Sequence, residues 1–447
     1  MQKHILVISF PAFGHITPLL ELSKRLSKYH RISFAVSSSK ADAIANRGLI
    51  PAHYQHQIAV LPIEDGLTPD YDKIIDPKHL AAGLQQMEPA QRELLRNMPI
   101  LDHPNGYRNL QPVDVVIADN CLPVPIPACK ARGIPGYAFC CAAAWTTVGM
   151  LALTEATPEC DDEVYYNEKD HTIAGRIPRS LKQWMLGCQD GMVQANAIII
   201  NSFEDLEPDA RAQIQDAGGP PVHFVGPLFP TELDEEVAHQ VAHWLDGQPV
   251  HSVIYISFGS MATPVPNQIV QIAETLLALG RPFIWSLRSD QHRLLPAAIT
   301  DQIPSQLDIK KVQERQFLIL PWAPQKTVLS HRATRVFISH CGWNSTMEGI
   351  ASGVPVVAWP MFGDQPLNAA LVLKLGLGLV IPDVCVRGLR IVSAGELSEI
   401  IEAVAGWKKR DSTFHEAVGK FARKTREAVE PGGTSANDFK ALLRRFI

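Results

Sequence analysis

Residues 322–365 read WAPQKTVLSHRATRVFISHCGWNSTMEGIASGVPVVAWPMFGDQ. Two short apolar runs, at 336–338 and 354–359, are each followed at once by polar residues and glycine. The first runs into Ser339-His340-Cys341-Gly342-Trp343-Asn344-Ser345 and the second into Phe362-Gly363-Asp364-Gln365. Buried strands that stop in a tight turn and feed a helix give this pattern. A helix start leaves several backbone N–H groups without intrahelical partners and carries partial positive charge, so it suits a phosphate. The indole of Trp322 offers a flat face on which a base can stack. Together these features describe a nucleotide site.

Working outward, the same strand-to-turn-to-helix grammar recurs. An apolar strand is expected at 4–10, ending in Pro11-Ala12-Phe13-Gly14-His15-Ile16-Thr17-Pro18. Thr17 can cap a helix whose first residue is Pro18, with Leu19, Leu22 and Leu26 on one face. On that reading His15 lies in the turn, and ligands of open α/β sheets gather at the carboxyl ends of the strands. Further strands are expected at 31–36, 134–140, 197–200 and 113–118, the last with Asp119 at its end. The segments between 54 and 111 give no clear order. Residues 226–247, with Glu232, Asp234, Glu235 and Glu236, read as a solvated acidic linker. The grammar then restarts with a strand at 252–258 ending in Gly259-Ser260 and a helix at 266–279. Strands at 283–287 and 316–320 follow, and helices at 367–375 and 394–406. The tail at 414–447 reads as helical with a basic, solvated face, broken by Pro431-Gly432-Gly433. The fold class is α/β, with two successive strand–helix arrays.

The 447 residues are enough for two cores. A hydrophobic content of 46% is ordinary for a globular protein, and the formal net charge of −5 argues against nucleic-acid binding. Eight cysteines without a C-x-x-C pair favour reduced, buried thiols over a disulfide framework. The first apolar run is too short for a signal-peptide core and meets Pro11. The segment 136–153 is interrupted by Trp145-Thr146-Thr147 and Gly149, so it reads as strand plus helix, not a membrane span. Asn344-Ser345-Thr346 matches a glycosylation sequon by coincidence. The expectation is a soluble, cytoplasmic monomer.

The stretch 322–365 resembles the 44-residue signature box of plant-type, family 1 UDP-dependent glycosyltransferases, aligned without a gap from Trp-Ala-Pro-Gln to Asp-Gln. The resemblance extends over the whole chain, thinly between 54 and 111. It implies the GT-B fold, two Rossmann-like domains with parallel sheets facing across a cleft. The domains would be 1–230 for the acceptor, a linker at 231–247, 248–428 for the UDP-sugar, and a helix at 429–447 returning to the first domain. Phe13-Gly14-His15-Ile16-Thr17-Pro18 resembles the family's base motif, and Asp119 in Ile117-Ala118-Asp119-Asn120 matches the base's partner. The chemistry agrees, because imidazole titrates near neutrality and a carboxylate can fix its tautomer.

The resemblance further implies that Trp322 stacks on uracil, with Ala323 at its edge and Gln325 near the ribose. His340, Gly342, Trp343, Asn344, Ser345 and Ser260 would surround the diphosphate and sugar, with Gly14 at the donor as well. Trp343, Asp364 and Gln365 match sugar-contacting positions, and a final Gln is associated with glucose. No metal and no cofactor is expected beyond UDP-glucose as donor, and the acceptor would be small and lipophilic. Glu348 has two readings: a capping box with Ser345, or a partner of the ribose hydroxyls, which the resemblance favours. Phe13, where the family often has a polar residue, and Trp145 are assigned to the acceptor pocket. Residues 161–169 read as a charged loop that could overhang it.

Rival readings are weaker. A Rossmann oxidoreductase needs a Gly-x-Gly-x-x-Gly turn that neither Phe13-Gly14 nor Phe258-Gly259 supplies. A metal-dependent glycosyltransferase of the other fold needs an Asp-x-Asp motif, and Asp70-Tyr71-Asp72 matches one only in a Pro-rich segment. A UDP-sugar-binding protein without catalysis would not need both His15 and Asp119.

Overall fold

The computed structural model describes residues 2–68, 77–97, 112–160, 177–229, 235–303, 312–384, 390–407 and 413–446. Residues 70–72 and 161–169, singled out above, lie outside them. The chain divides into two compact units: among the described residues, the first holds those at 2–160, 177–229 and 427–446, the second those at 235–426.

The first unit is built on a seven-stranded parallel sheet. Its strands are β1 (His4–Ile8), β2 (Arg31–Ser37), β3 (Ile58–Ile63), β4 (Val115–Asp119), β5 (Gly136–Cys140), β8 (Ala197–Ile200) and β9 (Val222–Phe224), in the order β3-β2-β1-β4-β5-β8-β9. Between β5 and β8 the chain makes a separate two-residue pair, β6 (Glu159–Cys160) with β7 (Ile177–Pro178). Helices cover both faces of the large sheet, so its central strands are apolar throughout instead of alternating with polar residues. Successive side chains of β1 still part to opposite sides: Leu6 and Ile8 join one core cluster, Ile5 and Val7 the other. The register sets Ile5 beside Val115 and Ile8 beside Ala118, so β1 and β4 end together. Here the strand order reverses, which makes this the topological switch point of the sheet.

The helix Thr434–Arg445 closes the second of these clusters. Leu442 and Phe446 are buried in it, and the Phe446 ring meets Tyr137 edge-on at 5.0 Å. Asp438 accepts from Arg211 Nη2 and from the Phe224 amide, each at 2.7 Å.

The second unit repeats the plan with six parallel strands: β10 (Val253–Ser257), β11 (Phe283–Ser286), β12 (Phe317–Leu320), β13 (Thr334–Ser339), β14 (Val356–Ala358) and β15 (Gly378–Val380). Their order, β12-β11-β10-β13-β14-β15, places a second switch point between β10 and β13.

Two local expectations are corrected. The helix after β1 spans Phe13–Leu26 and starts four residues before Thr17, with Pro18 inside it. The amides of His15 and Ile16 both donate to the Ala12 carbonyl, at 2.9 Å, so helical bonding is already in place there. His15 therefore stands in the first helical turn and not in a preceding loop. Glu235–Asp246, read as solvated linker, is a helix of the second unit whose Val241, Trp244 and Leu245 are fully buried. Glu236 sits in its first turn, where the helix dipole favours an acidic residue. No described helix is long and apolar enough to cross a membrane.

Candidate functional site

The predicted residues fall into two sets, one in each unit. In the first unit, three neighbouring strand ends converge. His15 follows β1, Asp119 is the last residue of β4, and Cys141 follows β5. His15 Nδ1 lies 2.9 Å from Asp119 Oδ2. An ionised carboxylate only accepts, so this bond puts the imidazole proton on Nδ1 and leaves the lone pair on Nε2. Asp119 is 1% exposed, and its other oxygen accepts from the Cys121 amide at 2.9 Å. The carboxylate is thus held from both sides and cannot swing away. The Phe10 ring packs on the imidazole at 4.8 Å between centroids, while the His15 side chain keeps 23% of its surface exposed. Cys141 Sγ stands 3.2 Å from Nδ1, a neighbour that the base motif gives no hint of.

The other residues assigned to this unit are more dispersed. Gly14 is exposed, and a Cβ there would meet nothing within 4 Å. Phe13 is half-buried with the Arg47 guanidinium 4.3 Å from its ring centroid. Trp145 packs partly buried on the apolar core, and its amide donates to buried Glu207 at 3.1 Å.

In the second unit, the 322–365 stretch unfolds as three strand-to-helix turns. Trp322 follows β12 and is 58% exposed, whereas Ala323 is buried. Beyond β13, Cys341 adopts φ 61°, a left-handed conformation uncommon for a side-chain-bearing residue. The helix Trp343–Ser352 then starts from Gly342 with no side-chain cap. This start removes the capping-box reading of Glu348: Ser345 is the third residue inside the helix and not its cap. Glu348 instead takes part in a buried chain. Tyr255 donates its hydroxyl to Gln325 Oε1 at 3.1 Å, and Gln325 Nε2 donates to Glu348 Oε2 at 2.6 Å and Ser345 Oγ at 3.0 Å.

His340 is fitted between two glycines. A Cβ on Gly259 or on Gly342 would lie 2.5 Å from its Nε2. Desolvation lowers the imidazole to about 4, so it is neutral at physiological pH. Its Nδ1 has no hydrogen-bond partner among the described residues. Ser260 sits exposed just past Gly259.

Beyond β14, Gln365 Oε1 accepts from the amides of Met361 and Phe362 at 2.9 and 3.2 Å, which fixes the turn. Asn368, fully buried, bridges this turn to the previous one, donating to Asp364 Oδ2 and to the Cys341 carbonyl at 2.9 Å each. Tyr255 and Asn368 were not foreseen from sequence. Tyr255 reads as an ordinary strand residue and Asn368 as an ordinary helical one, and only the pairing of strand ends reveals their bonds.

Residues 187–390 match the family described as UDP-glucoronosyl and UDP-glucosyl transferase. UDP-glycosyltransferase 708A6 of Zea mays is 30% identical over 417 residues, covering 84% of this chain and 83% of that protein. UDP-glycosyltransferase 74D1 of Arabidopsis thaliana is 26% identical, covering 100% and 99%. Among solved structures, Medicago truncatula UGT71G1 complexed with UDP-glucose matches with a TM-score of 0.80 at 26% identity, covering 100% of this chain and 98% of that one. The fold class is GT-B.

Proposed function

The chain belongs to the plant-type family 1 UDP-glycosyltransferases and is a sugar-transferring enzyme; from that premise we propose that it moves glucose from UDP-glucose to a hydroxyl of a small lipophilic acceptor, inverting the anomeric centre without a metal. The observation that carries this reading is the 2.9 Å bond from His15 Nδ1 to Asp119 Oδ2 at the switch point of the first sheet. It leaves Nε2 as a lone-pair base at a partly exposed edge. Nε2 takes the proton of the acceptor hydroxyl as the oxygen attacks the anomeric carbon, and the bond from that carbon to the diphosphate breaks. Asp119 stabilises the imidazolium that forms. One displacement converts an α-linked donor into a β-glucoside.

In the second unit, the exposed face of Trp322 takes the uracil and Glu348 the ribose hydroxyls. The uncapped start of the helix Trp343–Ser352, with neutral His340 and Ser260, receives the diphosphate. Asp364 and Gln365 face the sugar. Because the Gln365 carbonyl oxygen is occupied by the turn, its amide nitrogen is the end left for a sugar hydroxyl. The donor in the Medicago truncatula complex supports glucose as the sugar carried. Phe13 and Trp145 line the acceptor side. The cysteine spacing, with no C-x-x-C pair, accords with a reducing, cytoplasmic setting.

Replacing His15 with Ala tests the reading. UDP binding measured by calorimetry should be unchanged, while transfer to a phenol falls by about 10²-fold or more. Turnover near the wild-type rate would remove His15 from the mechanism.

A further inference from the structure

We propose that His15, Asp119 and Cys141 form a binding site for a divalent cation of the zinc class, and that a cation held there switches the base off. The three ligand atoms, Nδ1, a carboxylate oxygen and Sγ, lie within 4.8 Å of one another. Asp119 ends β4, Cys141 follows β5 and His15 stands in the first turn of the helix after β1, three adjacent strands at the centre of the sheet that hold their spacing. Nδ1 is 2.9 Å from Oδ2 and 3.2 Å from Sγ. Ligands around a tetrahedral zinc stand about 3.3–3.6 Å apart, so the two contacts of Nδ1 open by a few tenths of an ångström, and the third side of the triangle starts from no more than 4.8 Å. Asp119 Oδ1 is held by the Cys121 amide, which keeps Oδ2 turned toward the site.

Imidazole, thiolate and one carboxylate suit zinc, whereas magnesium and calcium prefer all-oxygen sets. Asp119 and Cys141 are 1% and 8% exposed, but the His15 side chain is 23% exposed and gives a way in, with a fourth position open to water.

The protons balance without a redox step. The Cys141 thiol loses its proton to solvent and binds as thiolate. The imidazole gives up its Nδ1 proton to coordinate and takes one on Nε2, staying neutral. Asp119 binds as the carboxylate it already is. An imidazole metallated at Nδ1 and protonated at Nε2 has no lone pair left for an acceptor hydroxyl. Cation binding stands on the geometry alone, whereas its inhibitory consequence rests on His15 being the base proposed above.

Cobalt(II) added to the full-length protein should give a near-ultraviolet thiolate-to-metal band together with visible bands of a four-coordinate ion, and zinc should displace both. In Cys141→Ser, shown folded by circular dichroism and by retained UDP binding, the thiolate band should vanish and zinc affinity by calorimetry should drop at least tenfold. Zinc should slow transfer by the wild type, a chelator should restore it, and Cys141→Ser should resist. Absence of the thiolate band in the wild type, or its survival in Cys141→Ser, would overturn the site. A band that depends on Cys141 while zinc leaves transfer untouched would uphold the site, overturn the inhibition, and count against His15 as the base.

Discussion

Tyr255 shows how one hydroxyl outside the signature stretch can govern residues within it. By donating to Gln325 Oε1 it fixes which way that amide faces, and the amide nitrogen is then the end presented to Glu348 and Ser345. Without the hydroxyl the amide is free to turn its oxygen toward the Glu348 carboxylate, an unfavourable pairing. A lost buried hydrogen bond costs about 1 kcal/mol, roughly a fivefold change in an equilibrium. Tyr255→Phe should therefore raise KM for the UDP-sugar about three- to tenfold with kcat within about twofold, measured by steady-state kinetics. An equal fall in kcat would tie Tyr255 to the chemical step. Two histidines of the same unit set a pH dependence. Desolvation holds His340 at about 4, and desolvation with the nearby Arg335 charge holds His415 at about 4. Both bind protons more weakly in the folded chain than in the unfolded one. Stability is complete above pH 6.5 and falls as pH drops from there toward 4, by up to roughly 3 kcal/mol for His340, the more deeply desolvated of the two, and by less for half-buried His415, whose charge solvent screens. Thermal melts across this window should show the slope, and His415→Gln should flatten it.

At the scale of elements, the proposed donor half-site is a strand-end packing problem as much as a set of contacts. The turn after β10 and the turn after β13 close on the His340 ring, and each contributes a glycine where a Cβ has no room. Gly259 also has φ +75°, so a side chain there meets both backbone strain and the imidazole. Gly259→Ala should lower stability by about 1–3 kcal/mol and weaken UDP binding at least tenfold, read by melting and calorimetry. Binding as tight as in the wild type would show that the ring can move without consequence. The helix Pro266–Leu279 and the strand Ala197–Ile200 were legible to the residue, because uninterrupted apolar patterns with clean boundaries define them. The helix Pro77–Arg96 was not, since Pro89 and a polar surround mask the spacing of its buried Leu84, Met87 and Leu95. Glu235–Asp246 was missed for a related reason: acidic residues at its start draw the eye from Val241, Trp244 and Leu245. Asp119 was readable because it ends a strand, and His15 because it lies between an apolar strand and the helix that follows. Cys141 and Tyr255 were not, because their roles depend on which strands lie side by side, and a single sequence does not state strand order.

On the scale of the whole molecule, the first unit depends on the far end of the chain. The helix Thr434–Arg445 and Phe446 just past its end supply Leu442 and the Phe446 ring to a cluster that also holds Ile5, Val7, Ile117 and Phe139. Leu442 is fully buried, so Leu442→Ala should cost about 2–5 kcal/mol in melting or denaturant titration. A loss under about 0.5 kcal/mol would mean that the helix is peripheral to the core. Continuity of the chain adds a consequence in time. Residues 235–426 are inserted, in sequence, within the unit that begins at β1 and is completed by the helix Thr434–Arg445. On the ribosome, at about 5–20 residues per second, the early strands wait some tens of seconds for their last packing partner. The later-made unit can therefore mature first, and the Asp119 strand of the earlier one gains its complete support only once the helix Thr434–Arg445 has been made.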